Sequence, residues 1–190
     1  QIHAVERDGQ GRGGILAEPV RDGRDERQPE EQVKVCPEDC PVDPAATFLL
    51  LFTSGTSGAP KAVITSHQRL GAVAVSMKSI LALTPDDTTY ICMPLFHSNA
   101  LFTAWGPSLV NGTCIALRRK FSASEFLSDV RKFGATYFNY VGKPLAYILA
   151  TPEQGDDSDN PLQRGFGNEG SEMDLERFAK RFGCKLTDGY

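Results

Sequence analysis

The chain predicts an α/β fold, a mostly parallel sheet with helices on both faces. Two observations carry the prediction. From Thr47 onward, short runs rich in β-branched and aromatic residues alternate with longer segments whose apolar residues recur at helical spacing. Strands and helices alternating at this spacing belong to parallel sheets, which take their ligands beyond the carboxyl ends of the strands.

The elements follow in order. Residues 1–44 read as a poorly ordered or atypical leader; through residue 35 they are crowded with Arg, Asp, Glu, Gln and Gly and have too little to bury. Residues 47–52 are a continuous apolar run, as expected of a strand buried on both faces. Residues 62–65 read as a strand, and Leu70, Val73, Ala74, Met77, Ile80 and Leu81 mark a helix over 67–83 that a Thr-Pro-Asp-Asp turn closes. A strand over 90–93 precedes a helix over 100–110, disturbed by Gly106-Pro107, and a strand over 113–117. Ser122 and Glu125 form a capping box opening a helix that runs to Lys132 and stops at Gly134. Residues 136–140 are a strand, 143–150 a short helix and 153–160 an acidic loop. Ser171 caps a helix that turns Met173, Leu175, Phe178 and Phe182 inward and ends at Gly183, and 184–187 are the last strand.

Composition narrows the function classes. A hydrophobic fraction of 41% and a charged fraction of 23% are those of a soluble globular protein, and a net charge of -4 argues against a nucleic-acid-binding surface. Five scattered cysteines suggest reduced thiols in a cytoplasmic setting. Cys36 and Cys40 have the spacing of half a metal site, but no second pair follows, so no metal site is assigned. No apolar run reaches the ~18 residues of a membrane span. A lipid substrate could still draw the chain to membrane surfaces.

The most informative stretch is Thr53-Ser54-Gly55-Thr56-Ser57-Gly58-Ala59-Pro60-Lys61. Its glycines let backbone N–H groups turn toward an anion, its hydroxyls add donors, and Lys61 brings a point charge for phosphate oxygens. It is not a Walker A loop, because Pro60 precedes Lys61 and Ala62 follows it. The plain alternative is a polar hairpin turn.

This loop resembles the signature of the AMP-forming adenylate-forming enzymes, which include acyl-CoA synthetases, luciferases and the adenylation domains of peptide synthetases. Within that family Met93-Pro94-Leu95-Phe96-His97-Ser98-Asn99-Ala100 and Leu117-Arg118-Arg119-Lys120-Phe121-Ser122 look most like fatty-acid and very-long-chain acyl-CoA synthetases. The resemblance covers residues 45–190 and implies an incomplete portion of the family's large domain. It implies ATP-dependent activation of a fatty acid to acyl-AMP and then acyl-CoA, with ATP, Mg2+ and coenzyme A as cofactor and co-substrates. Thr53, Ser54, Gly55, Thr56, Ser57, Gly58 and Lys61 would hold the β- and γ-phosphates.

By the same resemblance His97 lies where acyl chain, carboxylate and thiol channel meet; the alternative is a helix cap. Phe96, Leu101, Phe102 and Trp105 are tunnel lining or core. Gly167-Asn168-Glu169-Gly170 resembles the segment that holds adenine; the alternative is a left-handed turn before a cap. Asp188-Gly189-Tyr190 resembles the start of the next signature, whose aromatic packs on adenine. The resemblance places a Thr-Glu pair, the ribose-binding Asp and the small C-terminal domain beyond Tyr190, so this stretch alone is expected to be an inactive fragment. Two alternatives stand beside the fatty-acid reading: a non-catalytic nucleotide-binding remnant, and an adenylating enzyme of another branch acting on a different carboxylic acid.

Overall fold

The computed structural model describes residues 2–7, 13–16, 41–53 and 61–189. The chain divides into two units, residues 1–17 with 70–190 and residues 18–69.

The larger unit is built on a sheet in the order β2-β1-β6-β5-β7-β8-β9. Five strands run parallel: β5 (Thr88–Ile91), β6 (Cys114–Arg118), β7 (Tyr137–Val141), β8 (Arg164–Asn168) and β9 (Lys185–Asp188). β1 (Ile2–Arg7) adds antiparallel to β6, and β2 (Gly13–Leu16) adds antiparallel to β1. Both lie inside the stretch read as a leader. Main-chain pairing does not require an apolar composition, so the sequence carries little sign of them.

Alternation along the strands sends side chains to two cores. On one face Tyr90, Phe138 and Tyr140 pack against α4 (Phe126–Phe133), α5 (Gly142–Leu149) and α6 (Glu172–Phe182). Phe126 touches Tyr90, Phe138, Phe178 and Phe182 at ring centroid separations of 5.1–6.1 Å. On the other face Ile91 and Tyr137 meet Met77 and Leu81 of α1 (His67–Leu81) and Ala100 and Ala104 of the helical segment after β5. That segment comprises α2 (Ser98–Ala100), a π-helical turn (Leu101–Trp105) and α3 (Gly106–Asn111). Gly106-Pro107 does not break it, because the π turn precedes the proline and Tyr137 Oη donates to the Thr103 carbonyl at 2.5 Å within that turn.

The smaller unit contains a hairpin of β3 (Thr47–Thr53) and β4 (Lys61–Ser66), antiparallel from Thr53 opposite Lys61 to Thr47 opposite Ser66. The expected strand buried on both faces is therefore corrected. Phe52 is 69% exposed and Ile64 67%, and a two-stranded ribbon has only one partner strand to offer β3. A continuous apolar run looks the same in either setting.

Other expectations also change. Ser122 makes no capping bond; α4 starts later, at Glu125 as N-cap, and Glu125 pairs with Arg118 instead. Met173 is exposed, while Phe178 and Phe182 are buried as expected. Asp157, in the acidic loop, is buried in an ion pair. β8 was missed because it reads Arg-Gly-Phe-Gly-Asn. Its glycines serve close packing, since a Cβ on Gly165 would sit 2.6 Å from Leu186 Cδ2. Ser171 does cap α6, accepting from the Asp174 amide at 3.1 Å, and Gly134 and Gly183 end their helices in the left-handed conformation.

Candidate nucleotide site at the carboxyl ends of the strands

Strand order reverses at β5: the chain leaves β5 over one face to reach β6, and returns over the other face through α4 to β7. The segments after β5 and β7 therefore diverge to opposite faces, which opens a crevice at the carboxyl ends. Four sequence-predicted residues meet there. Gly167 and Asn168 end β8, and Glu169 and Gly170 form the turn that follows. Glu169 is left-handed, with φ 65°. A Cβ on Gly142, the first residue of α5, would collide with the Glu169 carbonyl, so glycine is what lets that turn close on the crevice.

Asp188, at the end of β9, clamps the turn. Its Oδ2 accepts from the Gly170 amide at 2.8 Å and from Tyr140 Oη at 3.1 Å, and Gly189 N donates to the Gly167 carbonyl at 2.9 Å. Burial, then the Asp188 charge, push the Tyr140 phenol above its ordinary pKa, so it stays a donor. Ser171 opens α6 next, but its first turn carries Glu172 and Asp174. Those carboxylates already answer the helix dipole, so this turn suits a neutral base better than a phosphate.

His97 is exposed at the N-cap position of α2 and its side chain makes no capping hydrogen bond, which removes the simple alternative for it. Phe96 is 77% exposed, whereas Leu101 is buried and Trp105 packs on the core. Asn99, Asn139 and Tyr140, not assigned from sequence, are buried and bonded to Asn168 or Asp188 directly or through one another. Asn99 Nδ2 donates to the Tyr140 carbonyl at 3.0 Å and to Asn168 Oδ1 at 2.9 Å. Buried asparagines in otherwise apolar runs were the available signal.

The other part of the predicted site belongs to the smaller unit. Thr53 ends β3 and Lys61 opens β4, opposite one another. Ser54, Gly55, Thr56, Ser57 and Gly58 lie outside the described residues, as do Tyr190, Cys36 and Cys40. The loop thus joins antiparallel hairpin strands and does not follow a strand of the parallel sheet. Among the described residues no three His, Cys, Asp or Glu side chains gather as a metal site, and no helix is long and apolar enough to cross a membrane.

The amino ends of the strands carry different chemistry. Asp87 accepts from the Thr84 amide at 2.8 Å, Thr136 Oγ1 at 2.6 Å and Arg164 Nη2 at 2.6 Å. Burial alone would raise its pKa, but these donors and the Arg164 charge outweigh it and hold the carboxyl below its usual value. Arg181 Nε meets Asp157 Oδ2 at 2.6 Å, and its Nη1 reaches the Thr151 carbonyl just past α5 at 2.9 Å. A surface hollow of about 440 Å³ beside this pair is lined by Glu153, Arg177 and Lys180 among others. Its charges are of both signs, which suits no single ionic ligand.

Comparison with known proteins identifies the family. The family model for AMP-binding enzymes matches residues 3–190, which takes in most of the leader. The chain is 56% identical over 147 residues to the medium/long-chain-fatty-acid–CoA ligase FadD17 of Mycobacterium marinum, covering 77% of this chain and 29% of that protein. It is 55% identical over 153 residues to the steroid-22-oyl-CoA synthetase of Rhodococcus jostii, covering 80% and 28%. The inhibitor-bound N-terminal domain of FACL13 from Mycobacterium tuberculosis superposes with a TM-score of 0.70 at 22% identity, over 80% of this chain and 38% of that one. At that identity the likeness speaks for the fold. The chain spans under a third of the length of these two curated relatives.

Proposed function

The chain belongs to the AMP-binding enzyme family, and from that premise we propose that it supplies the nucleotide-facing part of an ATP-dependent, AMP-forming fatty-acid–CoA ligase. The observation that carries this is the convergence of the Gly167–Gly170 turn and the Asp188 clamp in the switch-point crevice, in a chain 56% identical to a medium/long-chain ligase.

In the reaction a fatty-acid carboxylate oxygen attacks the α-phosphorus of ATP, and the bond to pyrophosphate breaks. The thiolate of coenzyme A then attacks the acyl carbonyl, and AMP leaves. Both steps gain most from positioning and from donors aimed at developing negative charge. The turn at 167–170 would seat adenine, held in place by Asp188 and Gly189, with Tyr190 packing on the base. Thr53, the loop hydroxyls, Gly55, Gly58 and Lys61 would neutralise the β- and γ-phosphates. Magnesium would arrive bound to the triphosphate, as the ion prefers phosphate oxygens and water to an all-protein cage. His97, exposed and without a capping bond, would face the acyl carboxylate. The acid's low solubility supports peripheral contact with membranes as its route of supply.

A second reading concerns the acid alone. The 55% identity to a steroid-22-oyl-CoA synthetase supports a steroid side-chain carboxylate in place of a fatty acid. Calorimetric titration of the chain with Mg-ATP tests the nucleotide assignment: saturable binding that weakens more than about tenfold in Lys61→Ala is expected. No binding would overturn it. Unreactive acyl-adenylate analogues bearing a medium-length alkyl chain or a steroid side chain then separate the two acids by which one binds more tightly.

A further inference from the structure

Asn139 is wholly buried in the middle of β7. Its Nδ2 donates to Asn99 Oδ1 at 2.5 Å, yet its own Oδ1 accepts from no group among the described residues. A buried oxygen without a donor costs stability, and an apolar side chain of similar shape would avoid that cost. Burial alone therefore gives no reason for an amide here.

Asn99 supplies one. Its two Nδ2 hydrogens serve the Tyr140 carbonyl and Asn168 Oδ1, so its Oδ1 must be the acceptor for Asn139. If Asn139 turned to satisfy its own oxygen, Asn99 would lose the donor that sets its orientation. The unpaired oxygen is the cost of a directed chain, Asn139 to Asn99 to Asn168. That chain joins three separate elements: the middle of β7, the helix that begins one residue after His97, and Asn168, the last residue of β8 before the Glu169–Gly170 turn. Thr103 Oγ1, in the π turn, holds the Asn99 carbonyl at 2.6 Å and fixes the helix from behind.

We propose that Asn139, Asn99 and Asn168 form a positioning relay that sets the His97 turn against the nucleotide-facing turn, so that occupancy at one is transmitted to the other. The proposal rests on the nucleotide reading above. Asn139 and Asn99 are positioning residues and act without touching ligand.

The test is a titration of the isotope-labelled chain with AMP, following the side-chain amide signals of Asn99 and Asn139 beside the backbone signals of 167–170. The relay predicts that all of them move with one dissociation constant. It also predicts that Asn139→Leu weakens AMP binding by about fivefold, the worth of one ordinary hydrogen bond, with little change in melting temperature, because the substitution removes one unpaired buried oxygen, on Asn139, and leaves another, on Asn99. If AMP moves the backbone signals while both side-chain amides stay still, or if Asn139→Leu binds as tightly as the parent, the relay is overturned and the nucleotide reading stands. If AMP moves neither set, the nucleotide reading fails and the relay fails with it. Should Asn139→Leu not fold, the parent titration decides alone.

Discussion

Near the amino ends of β5 and β8 two buried carboxylates are paired with arginines, whereas around the carboxyl halves of β7, β8 and β9 the polar groups that meet are three asparagines, a phenol and one carboxylate. The carboxyl end of β6 keeps an ion pair of its own, Arg118 with the buried Asp129. Asp87 with Arg164 and Asp157 with Arg181 knit loops and helix ends together; only Arg164 Nε is left without a bond there among the described residues. The carboxyl ends collect a left-handed Glu169, a glycine that admits a carbonyl, and an asparagine oxygen with no donor among the described residues. One end is arranged for cohesion. The other accepts local cost for geometry, as ligand sites do.

Breaking the amino end should have the largest effect on stability. Arg181→Ala leaves Asp157 as a buried carboxylate without its partner and uncaps α5, which should cost about 3–5 kcal/mol in a urea melt. A loss under about 1 kcal/mol would put this pair in the class of surface ion pairs.

A smaller effect follows from pH. The Asp87 and Asp157 carboxyls are both held below their ordinary value, each against the opposing effect of burial, by hydrogen bonds and facing arginines. A depressed carboxyl contributes stability above its unfolded pKa of about 3.9, and that stability is lost as pH falls through the folded value. Melting temperature should therefore fall as pH drops below about 4, and less steeply in Asp87→Asn than in the parent. An unchanged slope would show that Asp87 is not among the groups protonated on acid unfolding. The smallest stability effect belongs to Asn139→Leu, where the comparison predicts weakened AMP binding with the melt intact.

How much of this was legible varied with the kind of signal. The parallel core was readable because Tyr90, Phe138, Phe178 and Phe182 stand at strand and helix spacing. The Ser171 cap and the stops at Gly134 and Gly183 follow from local backbone chemistry. β8 was hidden because Gly165 and Gly167 are chosen for what packs above them, a property of neighbours distant in sequence. The run at 47–52 misled because apolarity alone does not distinguish a buried central strand from a hairpin ribbon. Of the candidate site, the Gly167–Gly170 turn and Asp188 were proposed from a motif resemblance, and the structure gives Asp188 Oδ2 bonds to protein groups. Asn99 and Asn139 escaped because their significance lies in pairing across 40 residues of chain.

A backbone chemical-shift map of the chain titrated with AMP tests the contrast between the two ends most directly. Shifts at Gly167, Asn168, Glu169, Gly170 and Gly189, with Asp87, Asp157 and Arg181 unmoved, are the predicted result. Shifts gathered instead around Glu153, Arg177 and Lys180, in the hollow at the amino end, would contradict it.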